Sequence, residues 1–432
     1  MRANRHDLVT ASVMLLLLVW APAAVAATPT CGGKRATIVG TNGHDTINGT
    51  SRNDVIVARG GADVIDGRGG NDRICDGSGN DWVVGDAGND RFYNGPGADE
   101  FSGGAGHDTV SYAGSSVGVV VTIDNMADDG PDSDNVRTDI EGIIGSRFSD
   151  HLTAQAGDVP NVLSPGGGND IVSGEGGDDR IVGGSGSDSI DGGPGDDRLE
   201  GGSDPDTILG GLGRDTAYGG GSRDWVIGDA DDDQLYGGGS GDRLQGGPGN
   251  DTLHGGSGVD IMTGDHVGEP GGEDRLFGGD GADQIFGYGG ADTIEGEGGA
   301  DQLVGGSEDD RLIGGPESDE LLGGTGEDRL FGHGGHDQLR GEAGDDVLHG
   351  GGGDDSLLGG DGEDEAFGGD GEDDLLGGAQ NDLLEGNAGE DVLQGDDGND
   401  ELDGGRHWDS LNGGFGVDVC RNGETVYDCE PT

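Results

Sequence analysis

The stretch Gly278-Gly279-Asp280-Gly281-Ala282-Asp283-Gln284-Ile285-Phe286 recurs, with substitutions, every nine residues almost to the end of the chain. Glycines hold the first, second and fourth places, Asp the sixth and an aliphatic residue the eighth. From Asp274 to Asp418 an Asp stands in this frame without a slip, which makes seventeen units; two earlier blocks, Asp45 to Asp108 and Asp170 to Asp260, hold eight and eleven. A fixed period this short restricts the fold to a solenoid, because so small a unit buries its apolar side only by stacking on its neighbours.

With 103 glycines, 4% aromatic residues and a formal net charge of −66, the chain fits no ordinary globular class. Composition alone would describe a disordered acidic chain. Periodicity argues otherwise: an aliphatic residue follows two places after the Asp at Ile47, Ile56, Ile65, Ile74 and Val83, and again at Leu303, Leu312, Leu321 and Leu330. A bare chain of this charge repels itself, so a compact state needs a counterion. Lys34 is the single lysine and there is no basic patch to meet phosphates, which excludes nucleic acid. A hard cation is the partner the charge calls for.

Residues 1–26 read as a secretory signal, with Arg2 and Arg5, an apolar run from Met14 to Trp20 and Ala24-Val25-Ala26 before Ala27. The run is short for a membrane span, so the mature chain is expected to be secreted and soluble. Export permits disulfides. Cys420 and Cys429 flank the turn dipeptide Asn422-Gly423 and are expected to close a C-terminal cap over 420–432, while Cys31–Cys75 would pin the N-terminal strand onto the first coils; four cysteines allow two other pairings.

The first block, with its N-terminal cap, spans 27–110. Residues 111–168 break the frame: Val117 to Ile123 reads as a buried strand, Asp128 to Asp134 as an acidic loop and Asp139 to Ile144 as a second strand. Phe148 to Leu152 and Pro160 to Leu163 follow as degenerate units, the latter with Asn161 in the Asp place. The region is read as an enlarged coil within one solenoid. A second block spans 169–263, a loop insertion 264–273 carries His266, Glu269 and Pro270 at its tip, and a third block spans 274–419.

In a strand, faces alternate, so the eighth place points inward while the seventh, often Thr, Gln, Arg or Glu, points to solvent. The six remaining residues form a turn whose glycines permit positive φ and whose Asp supplies charge. Carboxylates and carbonyls in a roomy loop suit Ca²⁺ better than Mg²⁺ or zinc. The pattern Gly-Gly-x-Gly-x-Asp-x-aliphatic-x resembles the RTX, or hemolysin-type, calcium-binding nonapeptide over roughly residues 36–419. The resemblance implies an all-β parallel β-roll, a right-handed β-solenoid with two nonapeptides per coil and many calcium ions held between a turn and the turn two units on.

On that resemblance, the positions with the full pattern are the best ligand candidates: Asp108, Asp188, Asp197, Asp215, Asp251, Asp260, Asp283, Asp328, Asp355, Asp364, Asp373 and Asp418. Asp45, Asp63, Asp72, Asp81, Asp90, Asp99, Asp170, Asp179, Asp292, Asp301, Asp337, Asp346, Asp391 and Asp400 form a second tier. Turns with Arg52, Glu308, Glu317 or Gln380 in the fourth place are expected to be weak or empty sites, because these side chains tolerate left-handed backbone poorly. Pairing turns within blocks gives about 30 sites as an upper estimate, and metal binding would then fold the chain. Eighteen coils would make a rod on the order of 85 Å long.

No His is followed by Glu, so the His-Glu-x-x-His zinc site of RTX proteases is absent. Gly114-Ser115-Ser116-Val117-Gly118 has the spelling of a nucleophile elbow but no α/β segment around it. His333, His336 and His349 read as turn residues. Every second ninth-place residue gives an apolar ladder, Phe286, Val304, Leu322, Leu358 and Leu376, interrupted by Arg340; it reads as shielding of the strands, with self-association or surface docking as the sharper alternative. The ice-binding branch of the family implies Thr or Asn ladders in the turns, which the third places lack. The expected function is a secreted, non-catalytic calcium-binding protein with a structural, adhesive or buffering role. The alternative is an RTX-type enzyme or toxin-like protein with activity in 111–164.

Overall fold

The computed structural model describes residues 28–266 and 271–429. The segment 1–26 and two of the expected loop-tip residues, Glu269 and Pro270, lie outside the described residues. The chain winds into a parallel β-solenoid of about 21 coils, and no helix occurs among the described residues. At the spacing of neighbouring strands the stack is on the order of 100 Å long. That exceeds the eighteen coils counted from intact repeats, because the strands of the irregular region from Val120–Thr122 to Val162–Ser164, and Ile38–Val39 and Thr425–Tyr427 at the ends, form rungs as well.

Each coil contributes one strand to each of two faces. One face is an open ladder from Ile38–Val39 to Val419–Arg421, in which buried eighth-place residues such as Ile56, Ile74, Ile294 and Leu312 stack and each strand pairs with those one coil before and after. Within it Arg180–Ser185 pairs with both Val162–Ser164 and Gly166–Gly167. The opposite face is two sheets, one of five strands ending at Asn135–Val136 and one of seventeen beginning at Val120–Thr122. Register follows the repeat: Gln284, Ile285 and Phe286 lie opposite Gln302, Leu303 and Val304, one coil on.

The core is the column of eighth-place residues. Ile285, Leu303, Leu321 and Leu339 are fully buried, as are their counterparts from Ile56 to Leu411. The seventh place is exposed and the ninth half-buried, as alternation requires. The insertion between Asp260 and Asp274 does not disturb this order: Asp251 and Asp260 still reach Asp274 and Asp283, one coil ahead across 23 residues instead of the usual 18.

Residues 111–141 are where the second face changes sheets. The strands are shorter than the sequence suggests, Val120–Thr122 and Gly142–Ile144, and a further strand, Asn135–Val136, follows the acidic segment. That segment is not simply a solvated loop. Asp129 and Asp134 are buried and exchange backbone hydrogen bonds of 3.1 and 2.7 Å. The Asp129 carboxylate accepts from the N–H of Thr122 (2.6 Å) and of Val136 (2.9 Å), joining the first strand of one sheet to the last strand of the other.

Both disulfides pair as expected, Cys31 with Cys75 and Cys420 with Cys429, at Cα separations of 5.7 and 5.9 Å. They tie the two ends of the stack.

Asp129→Ala strands two buried N–H donors, at a cost of roughly 1–3 kcal/mol each. In a nearest-neighbour solenoid the damage stays local. Hydrogen exchange should show lost protection at Thr122 and Val136 with the amides of 284–379 unchanged; unaltered protection at both would remove Asp129 from this role.

Candidate metal centre

The sixth-place Asp residues form two rows along the turns, each interrupted once, after Asp134 and after Glu141. In each, the N–H of one Asp donates to Oδ1 of the Asp one coil on: Asp283 to Asp301 and Asp301 to Asp319, both at 2.8 Å. The Asp carbonyl meanwhile accepts from the seventh-place N–H of the next coil, as Gln302 to Asp283 at 2.8 Å. One carboxylate oxygen is therefore committed to the stack. The other, Oδ2, is buried with no hydrogen-bond partner in almost every turn. It presses on the first-place glycine five residues earlier: a Cβ at Gly278 would lie 2.6 Å from Asp283 Oδ2 and 2.6 Å from the Gly296 carbonyl oxygen. Glycine leaves room there for the inward-pointing Oδ2.

Eleven of the twelve first-tier candidates carry this unpartnered oxygen, namely Asp108, Asp188, Asp197, Asp215, Asp251, Asp260, Asp283, Asp328, Asp355, Asp364 and Asp373. Asp418, in a terminal coil, is buried and receives the N–H of Asp400 at 3.0 Å, but its Oδ2 is not among the stranded atoms. Thirteen of the fourteen second-tier residues carry it, from Asp63, Asp72, Asp81, Asp90 and Asp99 through Asp170, Asp179, Asp292, Asp301, Asp337, Asp346, Asp391 and Asp400.

Asp45 differs. Its Oδ2 accepts from the N–H and hydroxyl of Thr41, at 2.6 and 2.9 Å. Thr50 does the same for Asp54, at 2.7 and 2.8 Å. At Asp150 the two oxygens divide the work, Oδ2 taking the N–H of Ser146 (2.5 Å) and Oδ1 its hydroxyl (2.8 Å). The signal was visible in the sequence as Thr or Ser in the second place. Conversely, Asp206, Asp224, Asp233, Asp242, Asp274, Asp310, Asp319, Asp382 and Asp409 carry the stranded oxygen although their units lack the full pattern. Among these, Asp310, Asp319 and Asp382 follow Glu308, Glu317 and Gln380, so a non-glycine fourth place does not alter the carboxylate. Glu308 and Gln380 adopt positive φ, at 79° and 85°.

Two Glu residues complete the rows where the frame fails. Asp108 donates to Glu141 and Asp409 to Glu424, both at 2.8 Å, the longer side chain reaching across a chain that has slipped from register.

Burial raises these carboxylates. Asp233 and Asp310 are pushed up to about 8, and Asp292 to about 9, chiefly by desolvation. Backbone N–H donors oppose the rise, while the like charges of Asp274 and Asp310, one coil either side of Asp292, add to it. The stranded oxygens thus need a proton or a cation. All-oxygen donors of high negative charge density in a glycine-rich turn fit a hard divalent ion of calcium's size.

The sequence profile described as "RTX calcium-binding nonapeptide repeat (4 copies)" matches residues 39–74, 76–110, 164–199, 200–235, 236–265, 271–303 and 304–339, and overlapping stretches from 331 to 420. No curated protein matches the chain at a significant level. Among solved structures, a hyperactive, Ca²⁺-dependent, β-helical antifreeze protein from an Antarctic bacterium aligns at 17% identity over 82% of this chain and 84% of that one. Its TM-score is 0.22, too low for the likeness to bear on the fold or function of this chain. The profile covers most of the repeats in which the buried carboxylate rows lie: the chain belongs to the RTX calcium-binding nonapeptide-repeat family, and calcium is the ion its repeats bind.

Proposed function

We propose that the chain is a secreted, non-catalytic protein whose winding is driven by calcium, serving outside the cell as a structural or adhesive rod or as a calcium buffer. The observation that carries this reading is the row of buried Oδ2 atoms without partners. Repulsion among these groups disfavours the bare compact state, and an ion that binds the wound chain better than the unwound one stabilises it by mass action. The ligands are the sixth-place Asp residues with stranded oxygens, including the nine that lack the full repeat pattern. The turns at Asp45, Asp54 and Asp150, satisfied by their own Thr or Ser, are left out, so the number of sites falls below about 30.

Export is supported by the two disulfides, which suit an oxidising compartment. The non-catalytic reading is supported by what 111–164 does: Val119, Val121, Ile123, Ile140 and Ile143 fill the core, and the Ser115 hydroxyl donates to the Val117 carbonyl at 2.8 Å within a local turn. The ninth-place ladder lies in register along one sheet, Phe286 against Val304, Val304 against Leu322 and Leu358 against Leu376, each side chain half-covered by the next. That mutual cover favours strand shielding.

Circular dichroism during calcium titration at neutral pH should show a β signal that grows with calcium and is lost in chelator. A spectrum unchanged by chelation would overturn calcium-driven winding.

The raised carboxylates fix the sign of the pH effect. Their folded-state values, about 6 to 9, lie above the ordinary 3.8, so the metal-free coil gains stability as pH falls and loses it as pH rises through that window. In chelator the β signal should be stronger at pH 5 than at pH 8. Calcium must displace the same protons, so its midpoint should move to higher concentration between pH 8 and pH 6; a midpoint independent of pH there would contradict it.

If the ladder only shields strands, the double variant Leu322→Ser and Leu358→Ser sediments like wild type at every concentration. A concentration dependence in wild type that the double variant abolishes would make it a self-association face.

A further inference from the structure

The first-place residue is glycine in nearly every unit whose Oδ2 presses inward, as at Gly67, Gly85 and Gly278, with Pro165 before Asp170 a lone exception beyond the first block. One column of the first block departs from this. Reading up coil by coil it runs Gly40, Ala58, Asp76, Asn94 and Tyr112, each following a strand residue paired with the next: Val39 with Val57, Val57 with Cys75, Cys75 with Tyr93, Tyr93 with Ser111. Inside the solenoid, therefore, side chains stand where backbone alone should pass.

Asp76 brings a carboxylate into the interior. It is 1% exposed; its Oδ1 accepts from the N–H of Gly77 at 2.5 Å and its Oδ2 has no partner. One oxygen each of Asp76, of Asp81 in the same unit and of Asp99 one coil on lie within 4.8 Å of one another. Oδ2 of all three is buried and unpartnered. The carboxylates that bear on Asp76 are Asp99, Asp81 and Asp134, with no cation among them. Asn94, next in the column, donates its Nδ2 to Asp134 at 3.1 Å and leaves its own Oδ1 buried and free. Tyr112 is buried beside Asp134 and closes the column.

We propose that Asp76, Asp81 and Asp99 hold a divalent cation inside the first block, a site that differs from the other repeat turns because a first-place carboxylate joins two sixth-place Asp residues. Oxygens within 4.8 Å of one another suit ligands that each sit about 2.3–2.6 Å from a single calcium ion. Among the described residues this is the group of three acidic side chains whose oxygens converge so closely, and a divalent ion there relieves the repulsion among them. Its place explains a use: Asp76 lies two coils below Tyr112, and Asp99 donates its N–H to Asp134 at 2.9 Å in the segment where the second face changes sheets, so an ion here would brace that junction.

The proposal takes its ion, calcium, from the functional reading above. The test is the anomalous difference map of the full chain crystallised in calcium, for wild type, Asp76→Gly and Asp76→Asn. Asp76→Gly restores the repeat's own residue, so folding is expected to survive; Asp76→Asn keeps the shape. Wild type should show a peak bounded by Asp76, Asp81 and Asp99, lost in Asp76→Gly and lost or weakened in Asp76→Asn, while peaks at the other turns stay. Turn peaks with none at Asp76 would overturn this site alone, as would a peak unchanged in Asp76→Gly, which would belong to an ordinary turn. No peaks anywhere would overturn both this site and calcium binding at the turns.

Discussion

The fold depends on one hydrogen bond repeated along its length, from the N–H of each sixth-place Asp to Oδ1 of the Asp one coil ahead. It does for the turns what the strand ladder does for the sheets. It also fixes the orientation of the carboxylate: once Oδ1 is committed to the preceding coil, Oδ2 turns into the stack and meets no donor. The first-place glycine and the demand for a cation both follow from that constraint. An Asn in the Asp place keeps the N–H donation without the charge: Asn161 donates its N–H to Asp179 Oδ1 at 2.7 Å and its Nδ2 to the Val159 carbonyl at 3.0 Å.

Period and face alternation made the architecture legible. Ile285 and its counterparts are the core and the seventh places are the outer surface, as strand geometry requires. The insertion at 264–273 could be placed because Asp260 and Asp274 keep the frame on either side. What escaped the sequence was tertiary substitution. Glu141 and Glu424 stand outside the nine-residue frame and enter the rows only because the chain brings them there. Asp129 joins two sheets through its side chain, which no strand pattern encodes. The roles of Thr41, Thr50 and Ser146 were written in the second place, but glycine's prevalence there hid them.

Backbone strain also sits elsewhere than the fourth place. Eleven non-glycine residues with positive φ occupy the second place, among them Arg59, Tyr288, Glu297, His333 and Glu342. Five occupy the fourth, Asp231, Ser240, Glu308, Gln380 and His407. Left-handed backbone costs a non-glycine residue roughly 1–2 kcal/mol, so a unit with such a substitution contributes less to the stack than one built of glycine. A solenoid tolerates that because stability is shared between neighbours. At the first place the constraint is one of space, since a Cβ at Gly278 meets the inward Asp283 carboxylate, not one of backbone sign.

That distinction explains why Asp76 matters more than its single residue suggests. Second- and fourth-place substitutions leave their side chains at the turn surface, where water meets them. A first-place substitution enters the interior, where Ala58 fits as a methyl group and Tyr112 as an aromatic wall. A carboxylate between them is costly unless something neutralises it, because desolvation penalises its charged form and the nearest groups are themselves acidic. Protonation would meet that need for one oxygen but not for three facing carboxylates. A single divalent ion meets it for all three at once, and it would do so within the two coils below the segment in which one sheet ends and the next begins.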